Sequence, residues 1–191
     1  MSAVDPGAFD ALVRARRTNL RVDPDREVPK AVVERLCRLA VWAPNHKRTE
    51  PWRFCAVSGD GRRALGAAMR AGLVAAGVTD EGKLAKAAGK YQRAPVVLLV
   101  GCAHDPDPHR HLEDRDAVAA AVQTLLLGAE ASGLASYWSS APDATLGPVK
   151  QLVGWAPDDA VVGLVYLGWP TGEVPVPERT DPSVHWITTA G

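Results

Sequence analysis

Residues 96–102 read VVLLVGC, an unbroken run of apolar residues between Pro95 and a polar loop. A short apolar run bounded in this way predicts a buried β-strand, because a helix needs about ten residues or more. A similar run at residues 161–167, VVGLVYL, predicts a second buried strand. Shorter apolar segments predict two more strands, at residues 54–57 and 134–138. These four segments are the predicted sheet.

Helical patterns surround the predicted strands in an irregular order. One amphipathic helix begins at Asp5-Pro6 and ends near Arg16, and a second begins at Pro29. Later helical patterns are predicted at residues 62–93, where glycines interrupt them, at about 114–132 and at 146–153. Two helices before the first strand favour an α+β fold in three layers over a doubly wound parallel sheet.

The length and charge of the chain restrict its partners. Its 191 residues predict a single domain, residues 1–191. Its 22 basic residues equal its 22 acidic residues, so no global field attracts nucleic acid or an anionic membrane. The longest uncharged stretch, residues 117–129, is shorter than the roughly 20 apolar residues of a membrane span. Any anion site must therefore be local, built from a few arginines.

The cysteines and the N-terminal segment favour a cytoplasmic protein. Cys37, Cys55 and Cys102 are odd in number and far apart, each within an apolar segment. This pattern is typical of reduced structural thiols rather than of a disulfide framework. The first residues lack the apolar core of a secretory signal peptide. The sequence therefore predicts localisation in the cytoplasm.

Arg16-Arg17-Thr18, at the end of the first predicted helix, is the first candidate site. Arginine forks match phosphate oxygens and a neighbouring hydroxyl adds a donor, so this triplet suits a phosphate group. Further motifs follow in order: Ala43-Pro44-Asn45-His46-Lys47, Pro51-Trp52 before a strand, Arg93-Ala94-Pro95, GLASYWSS at residues 133–140 and VGLVYLGWP at residues 162–170. The ordered set covers nearly the whole chain and resembles the nitroreductase family, most closely its short bacterial members.

The resemblance implies an FMN-dependent enzyme and a particular architecture. The expected fold is α+β, a three-layer nitroreductase-like fold with a central mixed sheet flanked by helices, in an intertwined homodimer. Two FMN molecules should lie in the interface, each contacted by both subunits. Arg16, Arg17 and Thr18 should hold the phosphate and ribityl end of FMN. His46 and Glu50 should approach the same flavin from the partner chain.

The resemblance also assigns residues to the flavin ring and to the tail. Trp138, Ser139 and Ser140 should line the isoalloxazine ring. Arg179 lies where longer family members place a late phosphate-binding arginine. The Pro-rich segment around it, residues 169–186, is too rich in proline for regular structure and too apolar for disorder. It is expected to pack along another surface, such as that of a second subunit.

The chemistry implied by the resemblance belongs to the cofactor. NADH or NADPH should reduce flavin N5 and leave, after which a hydride passes to a small acceptor such as a nitroaromatic compound or a quinone. This ping-pong scheme needs no acid or base from the protein, so no side chain is predicted to be catalytic. His46 is interpreted as a flavin contact.

Two residues depart from the family pattern. Glu50 stands where family members commonly carry glutamine or asparagine, and an ionised carboxylate accepts from the flavin N3–H but cannot donate to its carbonyls. Its charge should also disfavour an anionic reduced flavin. Ser139 stands where the closest relatives tend to carry an arginine, which puts in doubt a preference for acidic substrates.

Two other functions are compatible with parts of the sequence. A non-catalytic FMN-binding protein, for storage or sensing, would carry the same cofactor contacts. A Rossmann-type dehydrogenase is suggested by GDGRRA at residues 59–64, with Asp80 and Glu81 downstream. However, no apolar strand precedes these two acids, which favours an ordinary glycine turn between a strand and a helix.

Potential metal ligands are densest in one polar loop. Cys102, His104, His109 and His111 lie there with several carboxylates nearby. Their spacing fits neither a zinc finger nor a helical H-E-x-x-H site. No metal site is therefore predicted.

Overall fold

The structure is a computed structural model and describes residues 5–188. Its helices are α1 (Pro6–Ala15), α2 (Lys30–Ala40), α3 (Gly61–Ala75), α4 (Glu81–Gly89), α5 (Pro108–Glu130) and α6 (Leu146–Val153). Its strands are β1 (Trp52–Ser58), β2 (Val96–Cys102), β3 (Ala135–Ser139) and β4 (Ala160–Gly168). All four predicted strands are present, and β2 has the predicted bounds. The α+β class is confirmed.

The four strands form one sheet in the order β1-β2-β4-β3, and every neighbouring pair is antiparallel. Within residues 5–188, the isolated bridges include one parallel pairing, between Thr18 and Ser136. A mixed sheet was expected, with both parallel and antiparallel pairs. Within the described residues, the four strands pair only antiparallel and the parallel pairing is this isolated bridge. The antiparallel sheet also argues against a dinucleotide-binding fold, and Gly59, with φ of 52°, forms a turn between β1 and α3.

Helices cover both faces of the sheet. The central strand β2 is consequently buried on both sides along its whole length. On one face, α2 and α5 pack against Leu98, Val100 and Val165. On the other face, α3 and α6 pack against Leu99 and Leu164. The two clusters make the three layers that the sequence predicts.

Helix α5 begins six residues before the predicted start at residue 114. Asp107 is its N-cap, and a side-chain oxygen of Asp107 accepts from the His109 N–H at 3.0 Å. Pro108 occupies the first turn, where its missing N–H costs nothing. The prediction took this capped start for part of the preceding polar loop.

No helix within residues 5–188 is long and apolar enough to cross a membrane.

The C-terminal tail has no helix or strand in its described part after Pro170. It is attached near its start, where the Thr171 N–H donates to the Arg21 carbonyl oxygen at 2.9 Å. Beyond residue 173, large apolar side chains stand in solvent, with Val176, Trp186 and Ile187 between 75 and 85 % exposed.

Tyr91 is a buried residue whose hydroxyl has no partner within the described chain. Its ring stacks on Tyr166 with centroids 6.1 Å apart, and burial raises the pKa of the Tyr91 hydroxyl. Tyr91→Phe should therefore raise the melting temperature by about 2–4 °C, since an unsatisfied buried hydroxyl costs about 1 kcal/mol or more. Thermal unfolding measures this. Tyr166→Phe is the matched control and should lower the melting temperature, because the Tyr166 hydroxyl lies beside the Arg93 guanidinium. A lower melting temperature for Tyr91→Phe would contradict the interpretation.

Candidate cofactor site

The Arg16-Arg17-Thr18 triplet lies where α1 gives way to extended chain. Arg16 caps the helix with φ of −55° and ψ of 125°, so the chain leaves the helical conformation there. Thr18 then forms the parallel bridge to Ser136, and the Asn19 N–H donates to the Ser136 carbonyl oxygen at 2.9 Å. The triplet therefore runs along the outer edge of β3.

The triplet carries positive charge that the described chain does not compensate. Within residues 5–188, neither guanidinium forms an ion pair with a carboxylate. Arg17 Nη1 donates to the Arg16 carbonyl oxygen at 2.8 Å, but Arg17 Nε is buried and has no acceptor in this part of the chain. A buried N–H without an acceptor is costly, and an anion with several oxygens would satisfy it. The donor set thus fits a phosphate group.

The triplet does not present all of its side chains to one surface. An open cleft of about 380 Å³ is lined by Arg17, by the buried Asn19 and by Ala135, the first residue of β3. Arg16 and Thr18 do not line this cleft. Arg16 and Arg17 are therefore expected to differ in their contribution to a bound anion.

The segment Trp138-Ser139-Ser140 ends the same edge strand. The Trp138 indole is 38 % exposed and packs directly over Gly163 of β4, where a Cβ atom would overlap the indole nitrogen. Ser139 Oγ donates to the Ser140 carbonyl oxygen at 3.2 Å. Trp138 follows the bridge residue Ser136 by two positions, about 7 Å along a strand. The structure thus brings this segment close to the triplet.

His46 and Glu50 lie in a strained loop, residues 45–50, that precedes β1. Lys47, Arg48 and Glu50 have φ of 60°, 52° and 50°. This left-handed conformation costs a residue other than glycine about 1–2 kcal/mol. His46 Nδ1 lies 3.2 Å from a Glu113 carboxylate oxygen, and the Glu50 N–H donates to Asn45 Oδ1 at 2.9 Å. The side chains of His46 and Glu50 are exposed.

The 45–50 loop and the triplet occupy diagonally opposite corners of the sheet. The loop leads into β1 at Trp52, which is level with Cys102 at one end of β2. Ser136 is level, through Leu167, with Val96 at the other end of β2. Three strand spacings separate the corners by about 14 Å across the sheet, and six residues separate them by about 20 Å along it. One chain therefore does not bring His46 and Glu50 to the triplet.

Arg179 lies in the exposed tail. Within residues 5–188, its side chain makes no hydrogen bond and no ion pair. Its assignment to a phosphate stays a prediction.

A second cleft, of about 930 Å³, contains none of the residues predicted to bind FMN. It lies between α2 and β1, with Val33, Phe54 and Leu98 among its apolar walls. Cys37 also lines it, and burial raises the pKa of the Cys37 thiol to about 11, so the thiol stays protonated at neutral pH. No local sequence pattern indicates this cleft, because it depends on which strand lies at the sheet edge.

Asp114 is a further polar residue that the sequence analysis missed. It is 3 % exposed and holds two side chains of the 45–50 loop. No local signal in the sequence distinguishes it, because Glu113 and Asp116 stand beside it and only Asp114 is buried.

Comparison with known proteins places the chain in a family. The sequence model described as "Nitroreductase family" matches residues 13–169. The chain is 29 % identical over 165 residues to "Putative NAD(P)H nitroreductase YdjA" of Escherichia coli (strain K12), covering 85 % of this chain and 88 % of that protein. The structure is similar to that of a nitroreductase-like family protein from Bacillus cereus, with a TM-score of 0.79, 25 % identity and coverage of 95 % and 94 %.

A mutant of the FMN- and NADPH-dependent nitroreductase NfnB from Sphigopyxis sp. strain HMH shares the fold. Its TM-score is 0.71 at 21 % identity, with 90 % of this chain and 94 % of that chain covered. Since the family's sequence model spans most of the chain and the fold agrees, this protein belongs to the nitroreductase family of oxidoreductases.

Proposed function

We propose that this chain is an FMN-dependent oxidoreductase that uses NADH or NADPH to reduce nitroaromatic, quinone or related acceptors. The observation that carries the proposal is the uncompensated pair Arg16 and Arg17, with the buried Arg17 Nε lacking an acceptor. The pair runs beside the edge strand β3, which carries Trp138. An anionic group with an aromatic ring matches this combination of charge and exposed indole.

Different side chains bind different parts of such a cofactor. Arg16, Arg17 and Thr18 hold its phosphate end with charged and hydroxyl donors. FMN, when bound, supplies the two-electron chemistry between the nicotinamide and the acceptor. Trp138 offers a flat apolar surface with Ser139 and Ser140 beside it. The Ser139 hydroxyl, which donates to the Ser140 carbonyl oxygen, offers an acceptor. No side chain of the chain is required to act as an acid or a base.

The remaining contacts come from a second copy of the chain, and the whole chain, residues 1–191, acts as one nitroreductase-like domain of a homodimer. The separation of the 45–50 loop from the triplet supports this, because His46 and Glu50 then complete the partner's site. The exposed Trp42, at 84 %, and Leu112, at 58 %, supply apolar surface for such an interface. The tail that carries Arg179 packs into the 930 Å³ cleft of the partner subunit.

The cytoplasm is the compartment that the thiols favour. Cys37, Cys55 and Cys102 form no disulfide with one another. A protein with three free thiols is suited to a reducing environment.

Anaerobic titration of the FMN-loaded protein tests the proposal. The yellow protein should be bleached by NADH or NADPH, and a nitroarene or a quinone should restore its colour, with parallel initial-rate lines for the two substrates. A yellow protein that neither nicotinamide bleaches would favour a non-catalytic FMN-binding protein. A colourless protein that cannot be loaded with FMN would exclude both functions.

Glu50→Gln tests whether the 45–50 loop reaches the flavin. Removing the negative charge should raise the two-electron reduction potential of bound FMN, because the carboxylate disfavours the anionic reduced form. A single solvent-accessible charge acts with about 1 kcal/mol, which corresponds to an increase on the order of 20 mV. Spectroelectrochemical titration measures it. Glu34→Gln removes an exposed charge from α2 and should leave the potential unchanged. An unchanged or lower potential in Glu50→Gln would refute the contact.

A further inference from the structure

Asp114 is a buried carboxylate on α5 without a cationic partner in the described chain. It is 3 % exposed, and within residues 5–188 it forms no ion pair. Its Oδ1 accepts from Asn45 Nδ2 at 3.2 Å and from the Thr49 hydroxyl. Burial of an ionised carboxylate is costly unless donors face it. Both donors that satisfy Asp114 therefore come from the 45–50 loop.

The 45–50 loop in turn depends on these bonds. Three of its residues, Lys47, Arg48 and Glu50, have left-handed backbone conformations without being glycine. Such conformations persist only where surrounding contacts impose them. The loop side chains are otherwise exposed, so few packing contacts are available to do so. Hydrogen bonds within the loop join Asn45 to Thr49 and to the Glu50 N–H, and the bonds to Asp114 anchor this network to α5.

Two routes connect α5 to the predicted flavin contacts. Asn45, held by Asp114 through its Nδ2, uses its Oδ1 to accept from the Glu50 N–H at 2.9 Å. Glu113, the neighbour of Asp114, has a carboxylate oxygen 3.2 Å from His46 Nδ1. One turn of a rigid helix therefore holds both ends of the loop, and Asp114 holds the end that carries Glu50.

We propose that Asp114 is a positioning residue, which fixes the 45–50 loop so that Glu50 and His46 are presented to the cofactor site. This inference rests on the proposed function for its cofactor part. Asp114 contacts no predicted cofactor group itself and acts through Asn45 and Thr49. The device needs an acceptor at Oδ1 rather than a negative charge, because both loop donors use that one oxygen.

The test pairs each disruptive variant with a conservative one. Asp114→Ala removes the acceptor, whereas Asp114→Asn keeps an oxygen at the same place. Thr49→Val removes the hydroxyl donor, whereas Thr49→Ser keeps it. Thr49→Val leaves α5 intact and carries the test if Asp114→Ala does not fold. Asp116→Ala, an exposed acid on the same helix, is the control for loss of charge.

Two measurements are made on each variant of the full chain. Amide exchange of the Glu50 N–H, followed by NMR without added FMN, reports the loop itself. The FMN dissociation constant and the visible circular dichroism of bound FMN report the cofactor site. Thr49→Val should raise the exchange rate and the dissociation constant about tenfold, the factor expected for one lost hydrogen bond to a charged group. Asp114→Ala, which removes the acceptor of two hydrogen bonds, should raise both at least as much. The two variants should also change the dichroism. Asp114→Asn, Thr49→Ser and Asp116→Ala should stay within about threefold of the original protein.

The outcomes separate the inference from the proposed function. An unchanged Glu50 N–H exchange rate in Asp114→Ala and Thr49→Val overturns the inference. An increase of the exchange rate in Asp114→Asn equal to that in Asp114→Ala also overturns it. Faster exchange with unchanged FMN affinity and dichroism overturns the positioning role. If the original protein binds no FMN, the proposed function fails and the cofactor part of the inference fails with it, while the exchange data still decide whether Asp114 holds the loop.

Discussion

Replacing both Arg16 and Arg17 with alanine is expected to raise the FMN dissociation constant about 1000-fold, so that the protein is purified colourless. Each charge-assisted hydrogen bond to a phosphate is worth about 1.5–3 kcal/mol, and two of them together account for this factor. No carboxylate within residues 5–188 pairs with these guanidiniums, so their removal leaves no acid unpaired there. The thermal stability of the FMN-free protein should consequently change little.

The matched control removes the same charge from exposed positions of the first two helices. Arg14 and Arg38 are both exposed, and Arg14→Ala with Arg38→Ala should keep FMN affinity within about threefold. Fluorescence titration of FMN compares the two double variants. The single variants then assign the larger share to Arg16 or to Arg17. Equal affinity of the original protein and the Arg16/Arg17 double variant would remove the phosphate anchor from the proposal.

Gly163→Ala is expected to combine a loss of stability with a loss of FMN binding. A Cβ atom at Gly163 would overlap the Trp138 indole and lie 3.0 Å from the Ser139 carbonyl oxygen, so both residues must shift. Overpacking of this kind costs about 1–3 kcal/mol, which lowers the melting temperature of a chain of this size by about 2–10 °C. A displaced indole should also raise the FMN dissociation constant about tenfold and alter the visible circular dichroism of bound FMN.

Gly101→Ala provides a control, because it creates a similar steric overlap with a tryptophan away from the predicted cofactor contacts. A Cβ atom at Gly101 would overlap the Trp155 ring and lie 2.8 Å from the Ala160 carbonyl oxygen. It should lower the melting temperature by a similar amount but leave FMN affinity unchanged when measured well below the transition. If the two variants lose FMN affinity equally, the effect is one of stability and Trp138 does not line the cofactor.

The regular elements were predictable because their signals are local. Residues 96–102 are apolar without interruption, and Leu146–Val153 has a helical period, so both were predicted with the bounds that the structure has. The start of α5 was predicted too late, since a polar first turn containing Pro108 resembles a loop in composition. Capping by Asp107 was the signal that distinguishes the two.

The arrangement of the candidate site depends on contacts that no local pattern contains. Thr18 and Ser136 are far apart in the sequence, yet they pair at the edge of β3. The order β1-β2-β4-β3 places the 45–50 loop at the opposite corner, and this order follows from long-range strand pairing. Left-handed conformations at Lys47 and Arg48 were also unpredictable, because in a sequence such a conformation is indicated mainly by glycine. The residue types were thus recognisable, whereas their grouping required the fold.

The placement of the candidate residues at the margins of the sheet has an evolutionary consequence. Arg16, His46, Glu50 and Trp138 are all exposed or half-buried, and none belongs to the two packed clusters on which the fold rests. Under the proposed function, substitutions at these positions can therefore alter cofactor and acceptor contacts without disturbing the packed clusters. The scaffold is free to acquire new specificities while its centre, the strand at residues 96–102, stays under the constraints of packing.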